Sequence, residues 1–173
     1  MKNPTFEYLK KLLIVVHILF FFQSCSQEKK QMVFMDTLPK PVFEALAESI
    51  TRNIKENIKR IIVLTFITQE GKEHKLGVIF AEKLTTEIVK QKKVIVLDRL
   101  VFKSKLQEKS LSLVGNPDLA YIKQVGEVLG LDAVVVGIVT PYLGGYDINC
   151  RLIDTRTGLI LSAEEGYYSE KTE

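Results

Sequence analysis

Gly130-Leu131-Asp132-Ala133-Val134-Val135-Val136-Gly137-Ile138-Val139 is the run that decides the fold. Its β-branched residues follow one another without polar interruption, the composition of a strand covered on both faces, with Asp132 and Pro141 as its bounds. The preceding stretch from Pro117 to Leu129 has helical spacing, and Gly130 is placed to end that helix in a left-handed cap. After the strand, Tyr142-Leu143-Gly144-Gly145-Tyr146 predicts a hairpin. In the returning strand, Ile148, Cys150 and Leu152 alternate with Asp147, Asn149 and Arg151, so one face is apolar and the other wet.

Working outward, apolar residues recur at helical spacing from Pro41 through Phe43, Leu46, Ala47, Ile50 and Ile54, with Glu44, Glu48, Arg52 and Lys55 on the solvated side. Arg60 to Ile67 is a second continuous apolar strand, followed by a polar loop from Thr68 to Lys75. A helix then carries Leu76, Phe80, Ala81, Leu84 and Ile88 on one face. Val94 to Leu97 predicts a third buried strand, and Asp98 is placed to cap a helix starting at Arg99. Leu111 to Pro117 forms a turn, with Asn116 or Asp118 available as the next helix cap. Strand, helix, strand connections of this length join parallel neighbours. Asp154-Thr155-Arg156-Thr157-Gly158 turns the chain into a last strand, Leu159 to Ala163. The expected class is α/β: a mixed sheet, parallel in its first half and closed by an antiparallel meander, with helices packed on it.

The chain has 173 residues, 46% of them hydrophobic, enough for one domain with a core and an appendage. Of the formal charge of +3, two units come from Lys2, Lys10 and Lys11 against Glu7, and the remainder is almost neutral. Nucleic acid is therefore not an expected partner, because phosphate binding relies on clustered positive charge. Leu12 to Phe22 is almost wholly apolar, His17 apart, but only about half of the ~20 residues that span a bilayer, so residues 1–24 read as a cleaved signal peptide. Ser26 to Lys40 is polar, ends in Pro39 and Pro41 flanking Lys40, and reads as an extended tether.

Catalytic chemistry is not legible. The two histidines are His17, inside the signal, and His74, which the loop composition places in solvent. Cys150 falls on an apolar strand face as a small core side chain. Gly126 with Gly130, and Gly144 with Gly145, lack the lysine and hydroxyl of a phosphate loop. Carboxylates such as Glu164 and Glu165 have no apolar cleft around them. The expectation is no enzyme, no cofactor, no metal set and no catalytic residue.

Two resemblances refine this reading. Ser24-Cys25 directly after the apolar run resembles the lipobox of bacterial lipoproteins, which implies that Cys25 carries a diacylglycerol and becomes the new N-terminus of a tether over 25–40. Ser26 in that pattern implies sorting to the outer membrane. Asp132 to Gly137, followed by Arg151-Leu152-Ile153-Asp154-Thr155-Arg156-Thr157-Gly158, resembles the "GADAVVTGSV … ARLIDVETGEV" signature of the FlgO family of flagellar outer-membrane lipoproteins. It is also similar to the CsgG periplasmic domain and the TolB N-terminal domain. Val63-Leu64-Thr65-Phe66 stands where the family has V-L-P-F, with Thr65 in place of the proline, and Val94 to Arg99 resembles its V-V-E-R step.

The resemblance implies a domain over 41–168 with a tail over 169–173. It implies a non-catalytic lipoprotein that contacts the membrane through lipid on Cys25 and binds envelope or flagellar proteins. The alternatives are a CsgG-like secretion complex, in which copies form a homo-oligomer, and a periplasmic ligand-binding module. The last would use the carboxyl ends of the parallel strands, near Thr68 to Lys75 and Asp98. Extra long alternating segments of the kind CsgG proteins use for a pore are not found.

Overall fold

The computed structural model describes residues 41–111 and 118–169. The expected signal, tether, Ser112 to Pro117 turn and terminal residues 170–173 lie outside the described residues. Along the chain run α1 (Val42–Arg52), β1 (Arg60–Val63), α2 (Gly77–Gln91), β2 (Ile95–Val96), α3 (Arg99–Glu108), α4 (Leu119–Leu129), β3 (Ala133–Tyr142), β4 (Gly145–Asp154) and β5 (Ile160–Ser169). The strands form a single five-stranded sheet in the order β2-β1-β3-β4-β5. β1 is parallel to both β2 and β3, and the β3-β4-β5 meander is antiparallel. The mixed α/β class expected from the pattern is the one observed.

Each helix is placed by its apolar stripe. Phe43, Leu46, Ala47 and Ile50 of α1, and Phe80, Ala81, Leu84 and Ile88 of α2, form one core with Ile61, Val63, Ala133, Val135, Ile148, Cys150 and Leu152. Phe102 and Leu106 of α3 and Ile122, Val125 and Leu129 of α4 form a second core against Ile62 and Val134, on the opposite sheet face. Because side chains alternate along a strand, consecutive apolar residues feed both cores. Asp98 accepts from Leu100 N at 2.8 Å and Val101 N at 3.2 Å at the start of α3. Asp118 caps α4 through Tyr121 N at 2.8 Å, while Asn116 lies outside the described residues. Gly130, at φ 63°, closes α4 as expected.

Four details differ from the sequence reading. β2 is two residues long and Ile95 is 68% exposed, because β2 is an edge strand without a second neighbour. β3 runs through Pro141 instead of stopping before it. Val139 N donates to Ile67 O, so the odd-numbered residues of β3 turn their N–H groups away from β4. Pro141 belongs to that set, beyond the last pairing with Ile67, and its missing N–H removes no ladder bond. β5 continues past Glu164-Glu165 to Ser169, since that strand too is an edge, with one face on α1 and the other open. Ser169, assigned to the tail by the sequence reading, pairs with Gly145 as the last strand residue.

The fourth difference lies in β1. Leu64 N donates to Val135 O and Ile67 N to Gly137 O, so the chain regains β3 after an excursion at Thr65 and Phe66. Phe66 is fully buried in the α1/α2 core, over Gly137, where an added Cβ would lie 2.3 Å from the ring. Thr65 turns to the other sheet face. One extra residue has been inserted into the alternation, as in a β-bulge.

Candidate functional site

The outer face of β3 is closed by α3 and α4 only at its amino end. On that face Val134 is fully buried, but Val136 and Ile138 are half-buried and line a cavity of about 350 Å³. It lies beside the bulge that follows β1, with α2 on one face of the sheet and α3 and α4 on the other. The carboxyl ends of parallel strands are a recurrent ligand position. Its walls also include Leu64, Ile67, Val78, Phe102 and Ile153, and its polar groups are Thr65, Glu73, Arg99, Lys103, Tyr121, Asn149 and Arg151.

Arg99 is the central polar group. Although charged, it is only 9% exposed. Its Nη2 donates to Thr65 Oγ1 at 2.7 Å, and its Nε lies 3.0 Å from Glu82 Oε1. The bulge in β1 is what brings the Thr65 hydroxyl to this side. The third guanidinium nitrogen, Nη1, is buried and has no hydrogen-bond partner, and the same is true of Asn149 Oδ1. Buried polar atoms are paired in the large majority of cases, so two orphans on residues that line one cavity are an exception.

Among the alternatives from sequence, a ligand-binding module would use Thr68 to Lys75 and Asp98, and one residue of that set borders the cavity. Glu73 is a wall residue, while Asp98 is occupied as a helix cap. Arg99 and Asn149 went unrecognised, because position in a helix start or a wet strand face does not reveal burial. Thr65 was the available signal: a proline has no hydroxyl to accept from an arginine.

The expected site residue, Cys25, lies outside the described residues. Cys150 is a free thiol fully buried among core residues. Burial, with a smaller contribution from the nearby Glu164 charge, pushes its pKa up to about 12. His74 is less solvated than expected: its Nδ1 accepts from Leu76 N at 3.2 Å, and its ring sits edge-on to Tyr146 with centroids 5.2 Å apart. Among the described residues no group of three or more His, Cys, Asp or Glu is arranged to hold a metal ion, and no helix is long and apolar enough to cross a membrane.

The residues carrying the family signature lie at the other end of the sheet and hold it together. Asp132 Oδ2 accepts from Lys59 N at 2.9 Å and Arg60 N at 2.8 Å. Thr155 Oγ1 donates to Leu131 O at 2.6 Å. Asp154 Oδ1 accepts from Arg156 N at 3.0 Å, Thr157 N at 2.7 Å and Thr157 Oγ1 at 2.9 Å. Gly158, at φ 76°, completes that turn. These residues tie β1, β3 and the β4–β5 turn into one corner.

The class of protein so defined is a small α/β domain with a mixed sheet, a tied corner at one end and a cavity at the other. The FlgO family (FlgO protein) matches residues 42–173, and the chain belongs to that family. Solved structures share the fold. The LpoB C-terminal domain from Escherichia coli superposes with a TM-score of 0.62 at 12% identity, covering 75% of this chain and 96% of that one. The same values hold for the LpoB C-terminal domain from Salmonella enterica. The E. coli LpoB solution structure gives a TM-score of 0.56 at 12% identity, over 78% of this chain and 74% of that one. A search of curated proteins found no match.

Proposed function

We propose that this FlgO-family chain is a lipid-anchored protein of the cell envelope. Acyl chains on Cys25 hold it at the outer membrane, residues 25–40 form the tether, and the α/β domain binds other proteins of a flagellum-related surface assembly without catalysing a reaction. The observation that carries this reading is the family match over the whole domain, 42–173. Placed after a lipobox-like Ser24-Cys25, such a domain is the soluble body of an anchored protein. Covalent lipid suits this arrangement, since each buried methylene contributes roughly 0.8 kcal/mol and several acyl chains together hold a soluble domain at a bilayer. An accessible recognition surface is available at the β3–β4 tip, where Tyr142, Leu143 and Tyr167 are exposed, Tyr being a frequent anchor of protein interfaces.

Two measurements test the proposal. Metabolic labelling with palmitate is expected to mark the native chain and not the Cys25→Ala variant; equal labelling of the two rejects the anchor. Crosslinking in cells followed by purification is expected to recover envelope or flagellar proteins. Recovery of the chain alone from crosslinked, flagellated cells rejects the partner assignment.

A further inference from the structure

The Arg99 cavity is a second feature, independent of any protein partner. It combines three properties. The first is an apolar wall of Leu64, Ile67, Val78, Val136, Ile138 and Ile153. The second is charge: Arg99, Lys103 and Arg151 line it against a single acid, Glu73. Glu82, which offsets Arg99 at 3.0 Å, has a half-exposed side chain and is screened by solvent. The third is the pair of orphans, a cationic donor at Arg99 Nη1 and an amide acceptor at Asn149 Oδ1, both withheld from bulk water. Leaving such groups unpaired is destabilising, more so for the charged one, unless a bound molecule completes them.

We propose that this cavity binds a small amphipathic carboxylate. The acid head pairs with Arg99 Nη1, where the guanidinium geometry favours a carboxylate and Lys103 adds positive potential at the rim. The short apolar body lies along Val136 and Ile138. A hydroxyl or amide N–H on the ligand donates to Asn149 Oδ1. At about 350 Å³ the cavity is at the small end of the roughly 300–1,000 Å³ of ligand pockets, which favours a single short chain over a phospholipid or a folded peptide.

The test is a titration of the full chain in zwitterionic lipid nanodiscs, with methyl-labelled Ile and Val followed by NMR and empty nanodiscs as the partition control. The probes are 3-hydroxyhexanoate, hexanoate and hexanol. Both acids are expected to shift the Ile67, Val136 and Ile138 methyls saturably, with 3-hydroxyhexanoate the tighter and hexanol at least tenfold weaker than either. Arg99→Gln is expected to weaken the acids at least tenfold. Since a buried charge is risky to replace, Lys103→Gln on the exposed rim and Val136→Phe inside the cavity are run beside it, expected to weaken binding about threefold and to abolish it respectively. Absence of saturable shifts with both acids overturns the proposal. Hexanol binding as tightly as the acids, or acid binding that Val136→Phe leaves unchanged, overturns it equally.

Discussion

Asp132 and Arg60 hold one another from both directions: Asp132 N donates to Arg60 O at 2.8 Å, and Arg60 N donates back to Asp132 Oδ2 at 2.8 Å. The same carboxylate oxygen accepts from Lys59 N at 2.9 Å, so the two central parallel strands start in register through one side chain. Removing it leaves two backbone donors without an acceptor. Asp132→Ala is expected to lower unfolding stability by about 1–2 kcal/mol, the range of a charged hydrogen bond at a partly solvated site. Urea denaturation reads this as a lower midpoint with an unchanged slope. An unchanged midpoint would show that water replaces the carboxylate at no cost.

Gly126 meets Thr155 across the same corner. A Cβ built on Gly126 would lie 2.3 Å from Thr155 Cβ, and Thr155 cannot recede because its hydroxyl is bonded to Leu131 O and Asp132 O. Alanine gains about 1 kcal/mol in helix propensity over glycine, while overpacking costs about 1–3 kcal/mol. Since the obstacle is a fixed β-carbon rather than a mobile side-chain end, the clash prevails. Gly126→Ala is expected to be destabilised by up to about 2 kcal/mol in thermal unfolding, and a net gain would contradict the packing described.

These two pairs show what a sequence can and cannot disclose. The apolar periods of α1, α2 and β3 reported burial directly, because periodicity is a consequence of which face meets the core. The same run misled at Val136 and Ile138: a residue facing a cavity is as apolar as one facing a helix, so the continuous strand looked equally covered throughout. Pattern also said nothing of Arg99, whose partner Thr65 lies thirty-four residues away and reaches it only through the excursion after β1. Gly126 carries no phosphate-loop signal in the sequence, and its packing contact is a turn nearly thirty residues away. Family likeness located the Asp132 and Asp154 corner, and only the hydrogen bonds explain why those residue types stand there.

Asp154 makes stability depend on pH. Burial tends to raise its pKa, but bonds from Thr157 N, Thr157 Oγ1 and Arg156 N, with the Arg156 charge, outweigh it and hold the carboxyl below its ordinary 3.8. A depressed folded pKa contributes stability that is full above the unfolded value and is lost as pH falls through the folded one. Asp154→Asn keeps an oxygen acceptor and loses the charge. The variant is expected to be less stable than the native chain at pH 7, with the gap constant down to about pH 5 and closing below about pH 4. A gap that widens on acidification would reverse the assigned direction.

Cys150 is expected to be inert in the folded chain. With its pKa pushed up to about 12, the thiolate fraction at pH 8 is on the order of 10⁻⁴, and burial removes access as well. Iodoacetamide followed by peptide mapping at Cys150 should give no adduct under native conditions, and labelling in urea should rise with the unfolded fraction. Native labelling at the rate of a free thiol would mean that β4 opens locally without global unfolding.

Leu143 is strained where glycine or asparagine is usual. The two-residue β3–β4 turn has φ of 43° at Leu143 and 76° at Gly144, and positive φ at both positions is the condition of the tight hairpin turn. Leucine there carries the steric penalty of the left-handed region, roughly 1–2 kcal/mol, and at 79% exposure it recovers almost nothing by burial. Asparagine tolerates that conformation and leaves the Leu143 carbonyl, which accepts from the Tyr167 hydroxyl at 2.9 Å, in place. Leu143→Asn is therefore expected to stabilise the domain by about 0.5–1 kcal/mol, raising the melting midpoint by about 1–4 °C. If the exposed tip is also where a partner docks, the same change weakens that contact while it stabilises the fold. Capture of crosslinked partners by a chain that melts higher but binds less would separate the two effects, since a merely damaged domain would lose both.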